Sequence, residues 1–306
     1  MGNCLKSQLK EAVQNDSLKK LGKIILHIVE DTVTDPDQQK LIVKGSKAFS
    51  INVVGGEARI ADSLQKLQNN EFSNHYDYPN DGYGKEIYLK NGTYDIEFSD
   101  KYSLIWFKTT PSGDRVSIIK FDASEFDNSG LETLEINGAS IIGDLNILKT
   151  AALYSCIITR NREYKGNINE LLGSFVGHDL TFSLADIGCD VSSVGNNDNL
   201  VIFQAPNSPY IKGDIRNFAK CPNITLIIAN GSGISGDIKD LADDLVSAST
   251  PKTSGVIRVT ASRTLTLNGT NIGNGTSKYI KFGSSLPSGA EYTGSGYAVY
   301  ATNPDS

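Results

Sequence analysis

Apolar and polar positions along this chain follow two different periods. Between residues 23 and 112 they alternate in short runs, the period of strands with one buried face. Ile24-Ile25-Leu26-His27-Ile28-Val29 forms one such run, and Lys47-x-Phe49-x-Ile51-x-Val53 alternates ahead of Gly55-Gly56. Ile87-Tyr88-Leu89 and Tyr94-x-Ile96-x-Phe98 flank Asn91-Gly92, and Tyr102-x-Leu104-x-Trp106 alternates again. Asn-Gly between two such runs predicts a type I′ hairpin, because both central residues of that turn need positive φ. Short antiparallel strands at this density predict a small β-sandwich. Residues 69–84, rich in Asn, Tyr, Asp and Gly, read as an exposed loop.

From residue 121 to 245 the period lengthens. Gly143-Asp144-Leu145, Gly166-Asn167-Ile168, Gly213-Asp214-Ile215 and Gly236-Asp237-Ile238 recur at spacings of 23, 47 and 23 residues, and 47 is close to two periods. Gly188-Cys189-Asp190-Val191 fills the gap as a degenerate copy, and Phe121-Asp122-Ala123 lies about one period upstream of Gly143. The neighbours keep the same register. Ile141, Tyr164, Ile211 or Ile234 stands two residues before each glycine, and Leu148, Leu171, Phe218 or Leu241 five after. A fixed period of this size marks stacked structural repeats. Such a turn is too short for two helices but fits one strand, a tight corner and a short return segment. The strand precedes the glycine, as in Leu131-x-x-Leu134-x-Ile136 and Ile224-x-x-Ile227-x-Ala229. All eight flanking apolar residues are then expected in the core.

Leu-x-x-Leu-x-Ile followed by Ile-x-Gly-x-[Leu/Ile] resembles the leucine-rich repeat, with a Gly-x-Ile step similar to its plant-type variant. The resemblance covers about 125 of the 306 residues. It implies a parallel sheet lining a curved solenoid that serves as a binding scaffold. The chain departs from that family at the corner. Where the family ladders an Asn four residues before the glycine, these copies carry Ala139, Arg162, Pro209 and Ser232, which predicts an irregular, poorly curved array.

Both ends differ from the repeats. Leu5, Leu9, Ala12 and Val13 fall on one face of a short amphipathic helix, with Lys6, Lys10, Glu11 and Gln14 opposite. A helix of that length is marginal alone and needs something to pack against, so these four residues are candidate anchoring positions. After the repeats, Gly255-Val256-Ile257-Arg258-Val259-Thr260 continues the strand pattern, and short strands follow around Leu265, Tyr279 and Tyr297. A repeat array must cover the core exposed by its last turn. The predicted fold class is therefore mainly β: a helical anchoring segment (1–22), a β-sandwich (23–112), a leucine-rich-repeat-like solenoid (113–250) and a β-rich C-terminal cap (251–306).

Charge and candidate chemistry narrow the function. The formal net charge is −6 and no Lys/Arg run exceeds two residues, so the basic stripe of a nucleic-acid binder is missing. No apolar run approaches the ~18 residues of a membrane span, and the first residues lack the apolar core of a secretory signal. Met1-Gly2-Asn3-Cys4 has Lys6 where the myristoylation pattern wants Ser or Thr. Cys4, Cys156, Cys189 and Cys221 are widely separated and read as reduced, half-buried residues rather than a disulfide or zinc framework.

Gly231-Ser232-Gly233-Ile234-Ser235-Gly236 imitates a dinucleotide fingerprint. However, Asp237 would repel a pyrophosphate, and no acidic residue closes the next strand to hold a ribose. Asp77 to Gly82 follows part of a calcium-loop pattern but puts Pro79 and Tyr88 where ligands belong. His27, His75 and His178 lie on separate elements, with His27 expected as a core or edge residue and no nucleophile motif nearby. Neither cofactor, metal nor catalytic residues are therefore expected. A carboxylate pair of the glycosidase kind stays open among 35 acidic residues. The best contact candidates are His75, Tyr76, Tyr78 and Tyr83, since Tyr, Asn, Ser and Gly make adaptable surfaces at low entropic cost.

Taken with Lys90-x-Asn-Gly-x-Tyr-x-Ile and Asp100-Lys101-Tyr102-x-Leu104, this arrangement resembles virion-attached fibre or decoration proteins of Bacteroides-infecting crAss-like phages. The resemblance implies a non-enzymatic structural protein assembled in the host cytoplasm onto a capsid or tail. It further implies a homo-oligomer, with a trimer favoured, that contacts other virion proteins and presents a surface to host glycans or envelope without membrane insertion. The alternatives are a bacterial surface leucine-rich-repeat adhesin and a carbohydrate-active enzyme.

Overall fold

The computed structural model describes residues 22–29, 33–110, 117–161 and 163–305. The anchoring positions Leu5, Leu9, Ala12 and Val13 lie outside these residues. The protein is mainly β, with few helices and large sheets. Contacts divide it into two compact units, residues 1–143 and 144–306.

The first unit holds β1 (Ile24–Ile28), β2 (Lys40–Gly45), β3 (Ser50–Val53), β4 (Ile60–Ala61), a short helix α1 (Leu64–Gln68), β5 (His75–Asp77), β6 (Lys85–Leu89), β7 (Tyr94–Phe98), β8 (Leu104–Thr109), β9 (Ile119–Asp122), β10 (Thr133–Asn137) and β11 (Ser140–Ile142). One sheet orders them β11-β9-β1-β7-β3-β5, and the strands β10-β8-β2-β6-β4 form a second ladder. The alternation read from sequence decides which side chains go inside. Ile24, Leu26 and Ile28 of β1 are buried, as are Leu41 and Val43 of β2, while the residues between them face outward. Phe98 of one sheet meets Phe107 of the other edge to face, with centroids 6.5 Å apart, and Phe107 also packs on Phe121 and Phe126 at 5.9 and 5.5 Å. These four rings are fully buried and join the two sheets of the unit into one core.

The Asn91-Gly92 hairpin does not form. β6 pairs with β2 and β4, whereas β7 pairs with β1 and β3, so this turn carries the chain from one sheet to the other. Only Gly92 has positive φ. Asn91 is taken up by tertiary contacts instead: its amide donates to the Val33 carbonyl at 2.7 Å and its oxygen accepts from Gln39 Nε2 at 3.2 Å. His27, expected in the core or at an edge, sits on a central strand facing outward, where Nδ1 lies 2.7 Å from Asp95 Oδ1 on the paired strand.

The second unit contains β12 (Ser155–Thr159), α2 (Asn169–Ser174), β13 (Asp179–Ser183), β14 (Cys189–Asp190), β15 (Ile202–Gln204), β16 (Ile211–Asp214), β17 (Leu226–Ile228), β18 (Gly233–Asp237), α3 (Ile238–Ser247), β19 (Gly255–Thr260), β20 (Thr264–Leu267), β21 (Thr270–Asn271), β22 (Ser277–Phe282), β23 (Tyr292–Gly294) and β24 (Tyr297–Tyr300). β12, β13, β15, β17 and β19 pair in parallel, one strand per repeat. A second parallel ladder, β14-β16-β18-β20, runs through the Gly-Asp positions. All eight apolar residues flanking the repeat glycines are buried, the most open being Tyr164 at 7%.

The repeat has a local cause. Each aspartate caps the short helical turn that follows it. Asp144, Asp190, Asp214 and Asp237 accept from the backbone N–H two residues on, at 3.0, 2.9, 2.9 and 2.9 Å, which satisfies a donor the turn would otherwise leave unpaired. The glycine is there to clear the previous turn. A Cβ on Gly213 or Gly236 would lie 2.6 or 2.5 Å from Oδ1 of Asp190 or Asp214, and both glycines hold φ above +100°. α3 extends the same cap into a true helix, because Ile238, Leu241, Ala242 and Leu245 line one buried face.

Some corners are bonded from turn to turn by side chains that the motif does not mark. Buried Asn197 donates to the carbonyls of Phe175 and Gly177 in the preceding turn and accepts from the N–H groups of Asn199 and Leu200. Buried Ser208 donates to the Phe182 carbonyl at 2.6 Å. Beyond β19 the pairing turns antiparallel through β22, β24 and β23. Asn268 and Gly269, both with positive φ, close the β20–β21 hairpin, the turn chemistry that Asn91-Gly92 lacks.

Candidate contact surface

The predicted loop 69–84 is not uniformly loop. Its middle forms β5, an edge strand held by β3 through the pairs Ser50–Asp77, Ile51–Tyr76 and Asn52–His75. Beside it, Ser73 bridges to Ile60, and Ser63 caps α1 by accepting from Lys66 N at 3.2 Å. These elements enclose an open groove of about 430 Å³ lined by Asp62, Lys66, Asn70, Phe72, His75 and Tyr76, among others.

Several of the groove's polar groups are bonded to one another or to neighbouring side chains. Lys66 Nζ donates to Asp62 at 2.8 Å. The two ring nitrogens of His75 are held by Asn52 Oδ1 at 2.6 Å and Asp77 Oδ1 at 2.9 Å. With its ring nitrogens so engaged, His75 meets the Ser73 hydroxyl only through its backbone N–H, which Ser73 Oγ accepts at 3.1 Å. Burial, and then the carboxylates of Asp62 and Asp81, push the Tyr76 hydroxyl up to about 12, so it stays a hydrogen-bond donor at any ordinary pH. Phe72 carries the Lys90 ammonium 5.2 Å from its ring centroid. The arrangement presents a carboxylate, a carboxamide, a phenol and an imidazole around one concavity, which matches a ligand rich in hydroxyl groups.

Of the four contact candidates, His75 and Tyr76 come together here. Tyr78 does not: it is 1% exposed, stacked on Phe49 at 4.9 Å, and spends its hydroxyl on the Tyr83 carbonyl at 3.0 Å. Strand alternation turns it inward, two residues from the likewise inward-leaning Tyr76. Tyr83 is 72% exposed but does not line the groove. Sequence reasoning missed Asp62 and Lys66, whose only local signal is the Ser63 cap ahead of α1.

Comparison with protein-family models, with curated proteins and with solved structures finds no match.

The remaining candidate chemistry resolves into structural roles. Gly231 has positive φ at a corner, Gly233 lies in β18, and Gly236 faces Asp214, so the dinucleotide-like string is built into the repeat. Lys85 holds the Asp81 carboxyl below its usual range. Cys156, Cys189 and Cys221 are fully rather than half buried, and burial pushes all three thiols up to about 12, which suppresses the nucleophilic thiolate. His178 stacks on Tyr154 at 5.3 Å. Among the described residues no group of three His, Cys, Asp or Glu side chains is placed to hold a metal ion, and no helix is long and apolar enough to cross a membrane.

Proposed function

We propose that this chain is a non-enzymatic structural protein of a virus particle, similar in role to the fibre and decoration proteins of crAss-like phages. In this reading residues 1–22 anchor it to a capsid or tail protein, and residues 23–112 form a β-sandwich. Residues 113–250 form a degenerate leucine-rich-repeat-like solenoid, and residues 251–306 cap it. The protein works as a homo-oligomer, a trimer first, and the β5 groove meets host glycans.

The observation that carries the reading is the Gly-Asp ladder. Each turn is stabilised by its own cap and by the turn before it. Such an array can be lengthened or shortened without redesigning a core, which suits a projecting scaffold more than a catalytic pocket. The groove beside β5 supports the contact role, because its polar groups match a hydroxyl-rich ligand.

Deleting residues 1–20 tests the anchor. The remainder is expected to stay folded and soluble but to be absent from purified particles by mass spectrometry; incorporation at full occupancy would refute the reading. For the groove, Tyr76→Phe removes the hydroxyl while keeping the half-buried ring, and is expected to weaken binding on a glycan array at unchanged thermal stability.

A further inference from the structure

The outward face of the parallel ladder in the second unit carries a row whose order the register fixes. Ser155 pairs with Asp179, Asp179 with Ile202, Ile202 with Leu226, Leu226 with Arg258 and, across to β22, Arg258 with Tyr279. Their strand neighbours Leu180, Phe203, Ile227 and Val259 are buried, so this row points away from the core. Ile202 and Leu226 are only half-buried, and Arg258 is exposed. Read across six strands, the row runs hydroxyl, acid, apolar, apolar, base, hydroxyl.

We propose that this face binds a second copy of the chain about a two-fold axis parallel to the strands, between β15 and β17. Such a rotation reverses the order of the strands and keeps their direction. Ile202 of each copy then meets Leu226 of the other, Asp179 meets Arg258 twice, and Ser155 meets the Tyr279 hydroxyl. The alternative axis, along the row, sets Asp179 against Asp179 and Arg258 against Arg258, and like charges facing across a closing surface are unfavourable. A two-fold contact must be self-complementary in this way. The adjacent row of Thr181, Gln204, Ile228 and Thr260 is uncharged and imposes no competing order. Asp179 also accepts from the Thr181 hydroxyl at 3.0 Å and Arg258 donates to Ser277 Oγ at 3.4 Å. The intermolecular ion pairs add to these bonds.

Six strands spaced by roughly 4.8 Å make a row of about 25 Å. A row that long and two residues (~7 Å) deep covers on the order of 200 Å², well below the ~800 Å² per partner of a standard interface. The contact is therefore weak between free chains and grows with local concentration. It is independent of the trimer proposed above, which the variants below leave in place.

Sedimentation equilibrium of the full chain over a concentration series tests it. The expected result is a doubling of mass, from monomer to dimer or trimer to hexamer. Asp179→Arg and Arg258→Asp should each weaken that step at least tenfold, and the double reversal should restore it to within about threefold, with circular dichroism checking that each variant is folded. If Asp179→Arg does not fold, Leu226→Glu replaces it and should abolish the step. Absence of any doubling, insensitivity to both reversals, or a double variant no stronger than the singles overturns the proposal. So does doubling confined to a chain lacking residues 1–20, which would make that segment the occupant of the face.

Discussion

The two units bury apolar surface in opposite ways. In the first, Phe49 and the rings of β7, β8, β9 and residue 126 meet in one cluster, so side chains drawn from residues 49 to 126 depend on one another. In the second, each turn repeats one local recipe: an inward strand residue, a glycine that clears the turn before, and an aspartate that caps the turn after. The first should therefore respond to damage as a whole and the second turn by turn, since stacked repeats draw stability from nearest neighbours.

Phe107→Ala is expected to have the largest effect, about 3–5 kcal/mol for a fully buried ring, with hydrogen-exchange protection lost across the whole first unit. Ile234→Ala should cost about 2–5 kcal/mol, with protection lost chiefly in β16, β18 and β20, the strands that share its rung. If exchange in the second unit collapses uniformly instead, the contrast between the two kinds of core is wrong.

Gly236→Ala sharpens the recipe. The left-handed backbone alone costs roughly 1–2 kcal/mol for a residue with a Cβ, and the clash with Asp214 Oδ1 adds to it. Adding Asp214→Ala removes the clash but not the backbone strain, so chemical denaturation of the two singles and the double should give a non-additive cycle.

The caps also make the second unit sensitive to acid. Backbone bonding from Ser192 holds the Asp190 carboxyl below its ordinary value. Burial alone would raise Asp237, but the N–H groups of Gly269, Lys239 and Asn268 and the Thr266 hydroxyl outweigh it and also hold it low. A carboxyl with a lowered folded-state pKa contributes stability that is present above its unfolded value of roughly 4 and is lost as pH falls through the folded one. Melting temperature should therefore drop below about pH 4, and Asp237→Asn should flatten that drop while costing some stability at neutral pH. A pH profile unchanged by the substitution would mean that the caps do not titrate as argued.

The smallest expected effect is a gain. Leu184 occupies a corner with φ of +54°, where leucine is strained and Gly138, Asn207 and Gly231 serve at the matching corners of other turns. Leu184→Asn should stabilise by up to about 1 kcal/mol, less the loss of half-buried apolar surface, read as a small rise in melting temperature.

Much of the second unit was legible because its causes are local. The aspartate cap and the clearing glycine act within a few residues or one period, so the Gly-Asp spacing announces both the repeat and the burial of Ile234 and Leu241. Corner laddering was harder to read. The repeat fixes where a carbonyl needs a donor but not which side chain reaches it, and Asn197 and Ser208 do so from positions the motif does not mark. The groove was half legible: tyrosine and histidine density pointed to His75 and Tyr76, but alternation gives Tyr76 and Tyr78 the same face, and only the stacking of Tyr78 on Phe49 sets the buried one apart.

Asn-Gly makes the same division within a single dipeptide. At Asn268-Gly269 the neighbouring strands pair with each other, both residues take positive φ, and the local preference becomes the structure. At Asn91-Gly92 the flanking strands are claimed by different sheets, where Leu89 and Phe98 gain complete burial, and Asn91 bonds to Val33 and Gln39 instead. The sequence by itself determined many of the strands and the apolar face of each, because those follow from periodicity, although β2 and β5 were not among the strands it predicted. Which strands pair, and so which residues share a groove or a row on a sheet, was decided only by the tertiary structure, since the burial available across the whole unit outweighs the preference of any one turn.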